Sequence, residues 1–436
     1  MLCIKNATLL DGNHPRQERT DILIDNGIIR KTGRNLTAKG CRILHANGCW
    51  VMPGFIDAHC HLREPGYEYK EDIASGTRSA AMGGFTQVAC MPNTNPVLDN
   101  APLVHFVRQK AESEGVGKVH VIGSITKGLL GKELSEMGEL KEAGAVALSD
   151  DGKPVGNAGL MKRALEYAKA FGLLLISHCE DTSLSENGTM NEGYQSTILG
   201  LRGISRAAEE VMVARDILLA EAVGAPIHIA HVSTGGSVDL VRKAKERGVK
   251  VTCETAPHYF SATDAWVAGY NTNAKVNPPL RTEDDVDAVI AGLKDGTIDI
   301  IATDHAPHHR DDKEVEFDLA ANGISGFETA FALGVTNLVL PGYLTIEELV
   351  RKMAVRPAEI LGIKGGTIEK GAPADIVIAD PSAAVEITAG TMVSKGKNSP
   401  FLGLPLKGKI LYTIVDGKFV VSNGRLSEEE STEWTG

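Results

Sequence analysis

The rhythm of hydrophobic and polar positions changes twice along the chain. Up to residue 53, short apolar runs alternate with turn residues. Ile22-Leu23-Ile24 leads through Asp25-Asn26-Gly27 into Ile28-Ile29, the pattern of a β-hairpin. From residue 366 onward the style returns, with Ala374-Asp375-Ile376-Val377-Ile378-Ala379, an apolar run over 411–415, Asp416-Gly417 and Phe419-Val420-Val421. Neither end carries enough strands for a stable sheet of its own. The economical arrangement is one small β-sandwich domain assembled from both termini, residues 1–53 and 366–436.

Between them, over 54–365, apolar strand, polar turn and amphipathic helix alternate. Eight stretches read as strands: 55–59, 87–91, 119–123, 146–149, 173–178, 227–231, 250–254 and 298–303. Good helix patterns separate several of them. Residues 205–222 have Ser205 as a candidate N-cap, Glu209 close behind and Gly224 just past the end; 284–293 is another. Eight near-continuous apolar strands separated by helices predict an α/β fold, a closed (β/α)8 TIM-type barrel. An open doubly wound sheet is the alternative, and periodicity does not separate the two.

Composition narrows the partners. The chain has 436 residues, 43% of them apolar, enough for a full core. With 45 basic and 56 acidic residues the formal charge is 45 − 56 = −11, which argues against nucleic acid or an anionic membrane as partner, though a local cationic pocket for a small anion is compatible with it. Seven scattered cysteines with no CxxC pair read as reduced thiols rather than a disulfide framework. The start, Met1-Leu2-Cys3-Ile4-Lys5-Asn6, lacks a signal-sequence pattern and no apolar run approaches a membrane span, so a cytoplasmic protein is expected.

What ends the predicted strands is more informative. The first closes with Asp57-Ala58-His59-Cys60-His61, the fourth with Ser149-Asp150-Asp151-Gly152, the fifth with Ser177-His178, the sixth with Ala230-His231 and the eighth with Thr303-Asp304-His305. In a barrel, the C-terminal strand ends are where active sites are built. Residues i and i+2 of an extended strand share a side, so His59 and His61 can bind one ion while Cys60 faces the core. Imidazoles and carboxylates suit zinc and related metals, and a carboxylate can bridge two ions. His59, His61, His178 and His231 with two aspartates suffice for a binuclear centre. His14, His45, His105, His120 and His228 read as surface or packing residues.

This constellation resembles the amidohydrolase superfamily, and more narrowly the bacterial class I dihydroorotases. The resemblance rests on Pro53-Gly54-Phe55-Ile56-Asp57-Ala58-His59-Cys60-His61-Leu62-Arg63-Glu64-Pro65-Gly66, on Met91-Pro92-Asn93-Thr94 and on Ser149-Asp150-Asp151-Gly152. Asn277-Pro278-Pro279-Leu280-Arg281, Thr303-Asp304-His305-Ala306-Pro307-His308 and Lys397-Asn398-Ser399-Pro400-Phe401 extend it over nearly the whole chain. It implies reversible hydrolysis of L-dihydroorotate to N-carbamoyl-L-aspartate, through hydroxide held by two zinc ions per subunit, in pyrimidine biosynthesis. It implies also a homodimer and a possible aspartate transcarbamoylase partner.

Position by position, the resemblance implies that His59, His61 and Asp304 hold one ion, His178 and His231 the other, and Asp151 bridges them, with Asp150 the competing bridge. Hydantoinase-like relatives bridge with a carbamylated lysine after strand four; residues 147–152 contain none before Lys153. Asp304 is implied as the catalytic proton shuttle. His61, Arg63, Asn93, Asn277, His308, Asn322 and Gly323 are implied as substrate contacts, Arg63 supplying a planar cationic fork to the ring carboxylate. His305 and His309 rival His308, and His258 reads as a packing or supporting histidine. Residues 309–323 are charged and read as a solvated loop placed to serve as a lid. That loop departs from the family, with Ala321-Asn322-Gly323 where relatives commonly carry a Pro-Phe-Gly-like stretch, so contact through the Asn322–Gly323 backbone is the alternative to the Asn322 side chain. A non-catalytic relative would be expected to have lost metal ligands, and all six positions are present.

Overall fold

The computed structural model describes residues 1–37 and 39–427. Positions 428–436, the end of the predicted C-terminal part, lie outside the described residues. Eight parallel strands pair in chain order: Phe55–Cys60, Phe85–Cys90, Lys118–Gly123, Ala145–Ser149, Leu174–Ser177, Ile227–Ile229, Val251–Thr255 and Ile300–Ile301. Every residue of the first two is buried, which is why these strands read as continuous apolar runs rather than alternating ones. Ala58, Ala89, Ile122, Ala147, Ile176, Ala230 and Ile300, each from or directly after a different strand, meet in one apolar cluster.

The ring closes between its last and first members. Cys60 and His305 form a parallel bridge, and the His61 N–H donates to His305 O at 2.8 Å. The Asp57 carboxylate accepts the Thr303 N–H at 2.9 Å and the Thr303 hydroxyl at 2.5 Å. Closure excludes the open doubly wound sheet. It also explains why the eighth strand is shorter than 298–303: Thr303 finds its acceptor in a side chain rather than in a backbone ladder.

The helices follow their predicted cores with shifted ends. Residues 205–222 correspond to Ala207–Val223, with Arg206 rather than Ser205 at the N-cap and Gly224 closing the C-terminus at φ 67°. The preceding Gly203–Ile204 is committed to a short parallel pair with Met190–Asn191, which delays the helix start. Glu209 does not cap; it is buried and accepts the N–H groups of Ser233 and Thr234. Residues 284–293 correspond to Glu283–Asp295.

Strands from the two chain ends form one continuous nine-stranded sheet. Leu2–Leu9 pairs with Gln17–Asp25, Arg42–His45 and Trp50–Pro53, and Trp50–Pro53 pairs with Ile376–Glu386, which leads on to Pro405–Val415. The hairpin turns Asn26-Gly27 and Asp416-Gly417 have positive φ throughout, as two-residue hairpin loops require. They meet through Ala374, whose N–H donates to Gly27 O at 2.8 Å and whose O accepts Gly417 N–H at 3.0 Å, so the sheet curls around its own core of Ile4, Ile22, Ile29, Val51, Ile376 and Ile414. Lys118, on the third barrel strand, bonds Asp375 at 2.7 Å and Asp416 at 2.8 Å and ties sheet to barrel. All seven cysteines are unpaired. Among the described residues no helix is long and apolar enough to cross a membrane.

Removing the closing carboxylate tests its weight. Asp57→Ala leaves the Thr303 donors buried without an acceptor and is expected to cost about 1–3 kcal/mol, read as a lowered denaturant midpoint with an unchanged slope; an unshifted midpoint would assign closure to the backbone bonds alone.

Candidate functional site

The C-terminal strand ends converge on one buried cluster. His59 is the penultimate residue of the first strand and His61 follows that strand; Asp151, His178, His231 and Asp304 follow the fourth, fifth, sixth and eighth. None of the six is more than 6% exposed. Asp151 stands in the middle. Its Oδ1 lies 3.4 Å from His59 Nε2 and 3.5 Å from both His178 Nδ1 and His231 Nε2, and its Oδ2 lies 3.5 Å from His61 Nε2. Asp304 Oδ1 lies 3.1 Å from His61 Nε2 and 3.5 Å from His59 Nε2. Two ligands at about 2.1 Å from a tetrahedral ion are about 3.4 Å apart, so these spacings are those of atoms arranged around a common cation. His59, His61 and Asp151 form one such group and Asp151, His178 and His231 another, with ligand atoms within 4.8 Å of one another in each.

The second ring nitrogens are already committed, which aims the first. His59 Nδ1–H donates to Glu254 at 2.5 Å, and Glu254 is steadied from its other oxygen by His228 Nε2 at 3.2 Å. His61 Nδ1–H donates to Asn93 Oδ1 at 2.9 Å, and His178 Nε2–H to Glu180 at 3.1 Å. His59 Nε2 is left buried with no hydrogen-bond partner, a vacancy in bonding that a metal ion fits. Burial works against charge here, yet the histidines hold Asp151 well below the usual carboxylate range and Asp304 below it. Asp151 and Glu180 likewise outweigh burial and raise His178 to about 10. A cation bound there would displace the proton that His178 holds.

Asp150 and Asp151 separate cleanly. Asp150 accepts the N–H groups of Ile125 and Thr126 at 2.8 and 2.9 Å and the Thr126 hydroxyl, and so anchors the neighbouring loop. Asp151 alone faces the histidines. Lys153, the lysine of that stretch, is exposed.

Beside the cluster, Arg63 (φ 62°) donates from Nε to Pro307 O at 3.2 Å and places Nη2 3.2 Å from His308 Nε2. Among the described residues no carboxylate lies within 4 Å of its guanidinium. Glu64 and Glu71 are occupied elsewhere: Glu64 accepts from Ile73 N–H, Glu71 from the Ser394 hydroxyl and Lys395 N–H. Burial lowers the Arg63 pKa. His308 is fixed at both nitrogens, Nε2–H donating to Asn322 O at 2.8 Å and Nδ1 accepting from Lys70 at 3.2 Å. Burial first, then Arg63, Lys70 and Lys313, depress its pKa far below the usual histidine range, so the ring is neutral.

The remaining expected contacts sit close by in supporting positions. Asn93 bonds His61 and, from Nδ2, Asp151 at 3.3 Å; Asn277 Nδ2 donates to Glu180 at 2.9 Å. The Asn322 carbonyl is taken by His308, and Gly323 N–H donates to Lys275 O at 3.0 Å. His305 stacks on Phe327 with ring centroids 4.0 Å apart, and its Nδ1 accepts Gly326 N–H at 3.2 Å. His309 caps the short helix Arg310–Lys313, and His258 packs on Tyr259. Glu254 and Glu180 escaped sequence reasoning. The signal for Glu254 was its place at the end of the seventh strand, in register with the other metal-friendly ends.

Comparison with known proteins gives the family and the fold. A family profile described as Dihydro-orotase-like matches residues 48–237, and one described as Amidohydrolase family matches 204–421. A protein named Dihydroorotase from Ruminiclostridium cellulolyticum is 61% identical over 420 residues, 96% of this chain and 98% of that protein. A namesake from Acetivibrio thermocellus is 58% identical, over 96% of this chain and 99% of its own. Among solved structures, the L-hydantoinase (dihydropyrimidinase) from Arthrobacter aurescens superposes with a TM-score of 0.90 at 26% identity, covering 98% of this chain and 97% of that one. The D-hydantoinase (dihydropyrimidinase) from Thermus sp. does so at 0.82 and 25%, covering 98% and 97%.

Glu254→Gln is expected to weaken retention of a divalent metal about 10–100-fold, measured by competition with a chelator. Loading should release protons and strengthen with rising pH, because the imidazoles hold protons until the ion displaces them. Unchanged retention would remove Glu254 from the support of His59.

Proposed function

This chain belongs to the dihydroorotase family of amidohydrolases, and from that membership we propose that it catalyses the reversible hydrolysis of L-dihydroorotate to N-carbamoyl-L-aspartate, a step of pyrimidine biosynthesis. The observation that carries the substrate assignment is Arg63: a half-buried guanidinium without a carboxylate partner among the described residues, beside the histidine–aspartate cluster. The ring carboxylate of dihydroorotate is the counterion it lacks, and a bidentate pair would seat the ring with its amide toward Asp304. The hydantoinases that share the fold are named for rings of another kind, so the fold by itself does not select the substrate.

His59, His61 and Asp304 are the residues to hold one ion and His178 and His231 the other, with Asp151 shared, and zinc suits this nitrogen–oxygen set. Ions bound there supply Lewis acidity, acidifying water and polarising the ring carbonyl. The chain's own residues do the rest. Arg63, with His308 against its guanidinium, orients the ring, and the Asn93 and Glu180 hydrogen bonds keep His61 and His178 facing inward. Asp304 takes the proton from the attacking water and returns it to the amide nitrogen as the C–N bond breaks. Its carboxylate is kept ionised by the surrounding imidazoles, the state a base requires. Hydrolysis turns a neutral amide into a second carboxylate and releases a proton, so acid favours ring closure and alkali the open chain.

Zinc-loaded protein assayed on L-dihydroorotate, dihydrouracil, hydantoin and allantoin, beside a chelated control, is expected to turn over dihydroorotate alone. Turnover of a neutral ring instead would overturn the substrate assignment. Asp304→Asn should lower kcat at least about 100-fold, the scale of a general acid–base contribution, while leaving much of the substrate affinity; near-normal turnover would remove it from the proton path. Arg63→Met should raise the KM for dihydroorotate with far less effect on any residual activity toward dihydrouracil, and equal losses on both would make Arg63 structural.

A further inference from the structure

The loop after the eighth strand holds a charged group that solvent does not explain. Lys313, in a stretch whose composition reads as a solvated lid, is only 3% exposed. Its ammonium donates to three backbone carbonyls, Ala321 O at 2.7 Å, Gly323 O at 3.2 Å and Lys275 O at 3.3 Å. Three acceptors match the three N–H bonds of the charged form, and a neutral amine would leave one carbonyl short. Burial and the neighbouring Lys275 push its pKa down, against Asp312. The Lys275 ammonium is itself turned away, onto Phe317 O at 2.7 Å and Asp318 O at 3.0 Å.

Two of the three carbonyls flank Asn322. Its own carbonyl, between them, is the acceptor for His308 Nε2–H. On the opposite side Lys70, paired with Asp312 at 3.2 Å, donates to His308 Nδ1. The ring is therefore clamped in one tautomer and one orientation, with Arg63 Nη2 against the same Nε2. Disturb the 321–323 backbone and the clamp opens at its carbonyl jaw.

We propose that Lys313 is a positioning residue for the carboxylate-binding Arg63, acting through His308: by gathering the carbonyls of Ala321, Gly323 and Lys275 it aims the Asn322 carbonyl at His308 and fixes the ring as the neutral Nε2–H tautomer, whose Nε2 offers Arg63 no acceptor and leaves Nη2 to the substrate. The proposal rests on the dihydroorotate reading for its kinetic consequence but not for its structural one, and the tests divide accordingly. In wild-type protein with 15N-labelled histidine, long-range 15N–1H correlations should show His308 neutral with its proton on Nε2; a proton on Nδ1, or a charged ring at neutral pH, overturns the proposal. This arm needs neither turnover nor a variant that folds, so it stands even if dihydroorotate is not the substrate. In the metal-loaded enzyme, K313M should raise the KM for dihydroorotate about tenfold or more with kcat changed less than about threefold, and should scatter the His308 nitrogen signals between tautomers. A wild-type KM with unaltered His308 signals, or a fall in kcat at unchanged KM, overturns it.

Discussion

One buried carboxylate organises the working end of this molecule. Asp151 sits among four imidazoles, near 3.5 Å from a nitrogen of each. Isolated, it would be costly to bury, and so would the histidines that surround it. Together they form a cluster that could hold a cation from several sides. The geometry follows from the barrel, because residues from four of its strand ends must meet at one point, and only a closed ring of parallel strands brings ends so distant in the sequence within a few ångströms.

The surrounding residues exist to hold that pattern still. Glu254, Asn93 and Glu180 each accept from the outward nitrogen of one histidine, so that its inward nitrogen is turned toward Asp151. His231 at φ 34° and Asp304 at φ 47° hold their backbones in the left-handed region, where non-glycine residues are uncommon. Such conformations persist where neighbouring structure dictates them, and they cluster at sites where a side chain must point in one direction only.

Much of this was legible in the sequence, because the barrel strands are apolar throughout and the residues ending them are chemically conspicuous. His59 and His61 declare themselves by strand periodicity, since alternate residues share a side. What escaped depends on contacts that no local pattern encodes. Whether Asp150 or Asp151 faces the histidines is decided by Thr126 and Ile125, some 24 residues upstream, which claim the former. The end of the eighth strand is set by Asp57, 246 positions away. Lys313 lies in a charged run that composition assigns to solvent, and only the fold reveals three carbonyls gathered around it.

The closing seam between the first and eighth strands also bears on how the protein is made. His61 and Asp304, which face each other at 3.1 Å, are 243 residues apart, and the Asp57–Thr303 bonds beside them span 246. During synthesis the His59–His61 pair emerges early and waits, while the group that completes its site is translated late. The sheet beyond the barrel is in the same position, since Trp50–Pro53 lacks its second neighbour until Ile376–Glu386 arrives. A chain halted between the sixth and the eighth strand therefore has five of its six candidate metal ligands in hand and no ring to hold them.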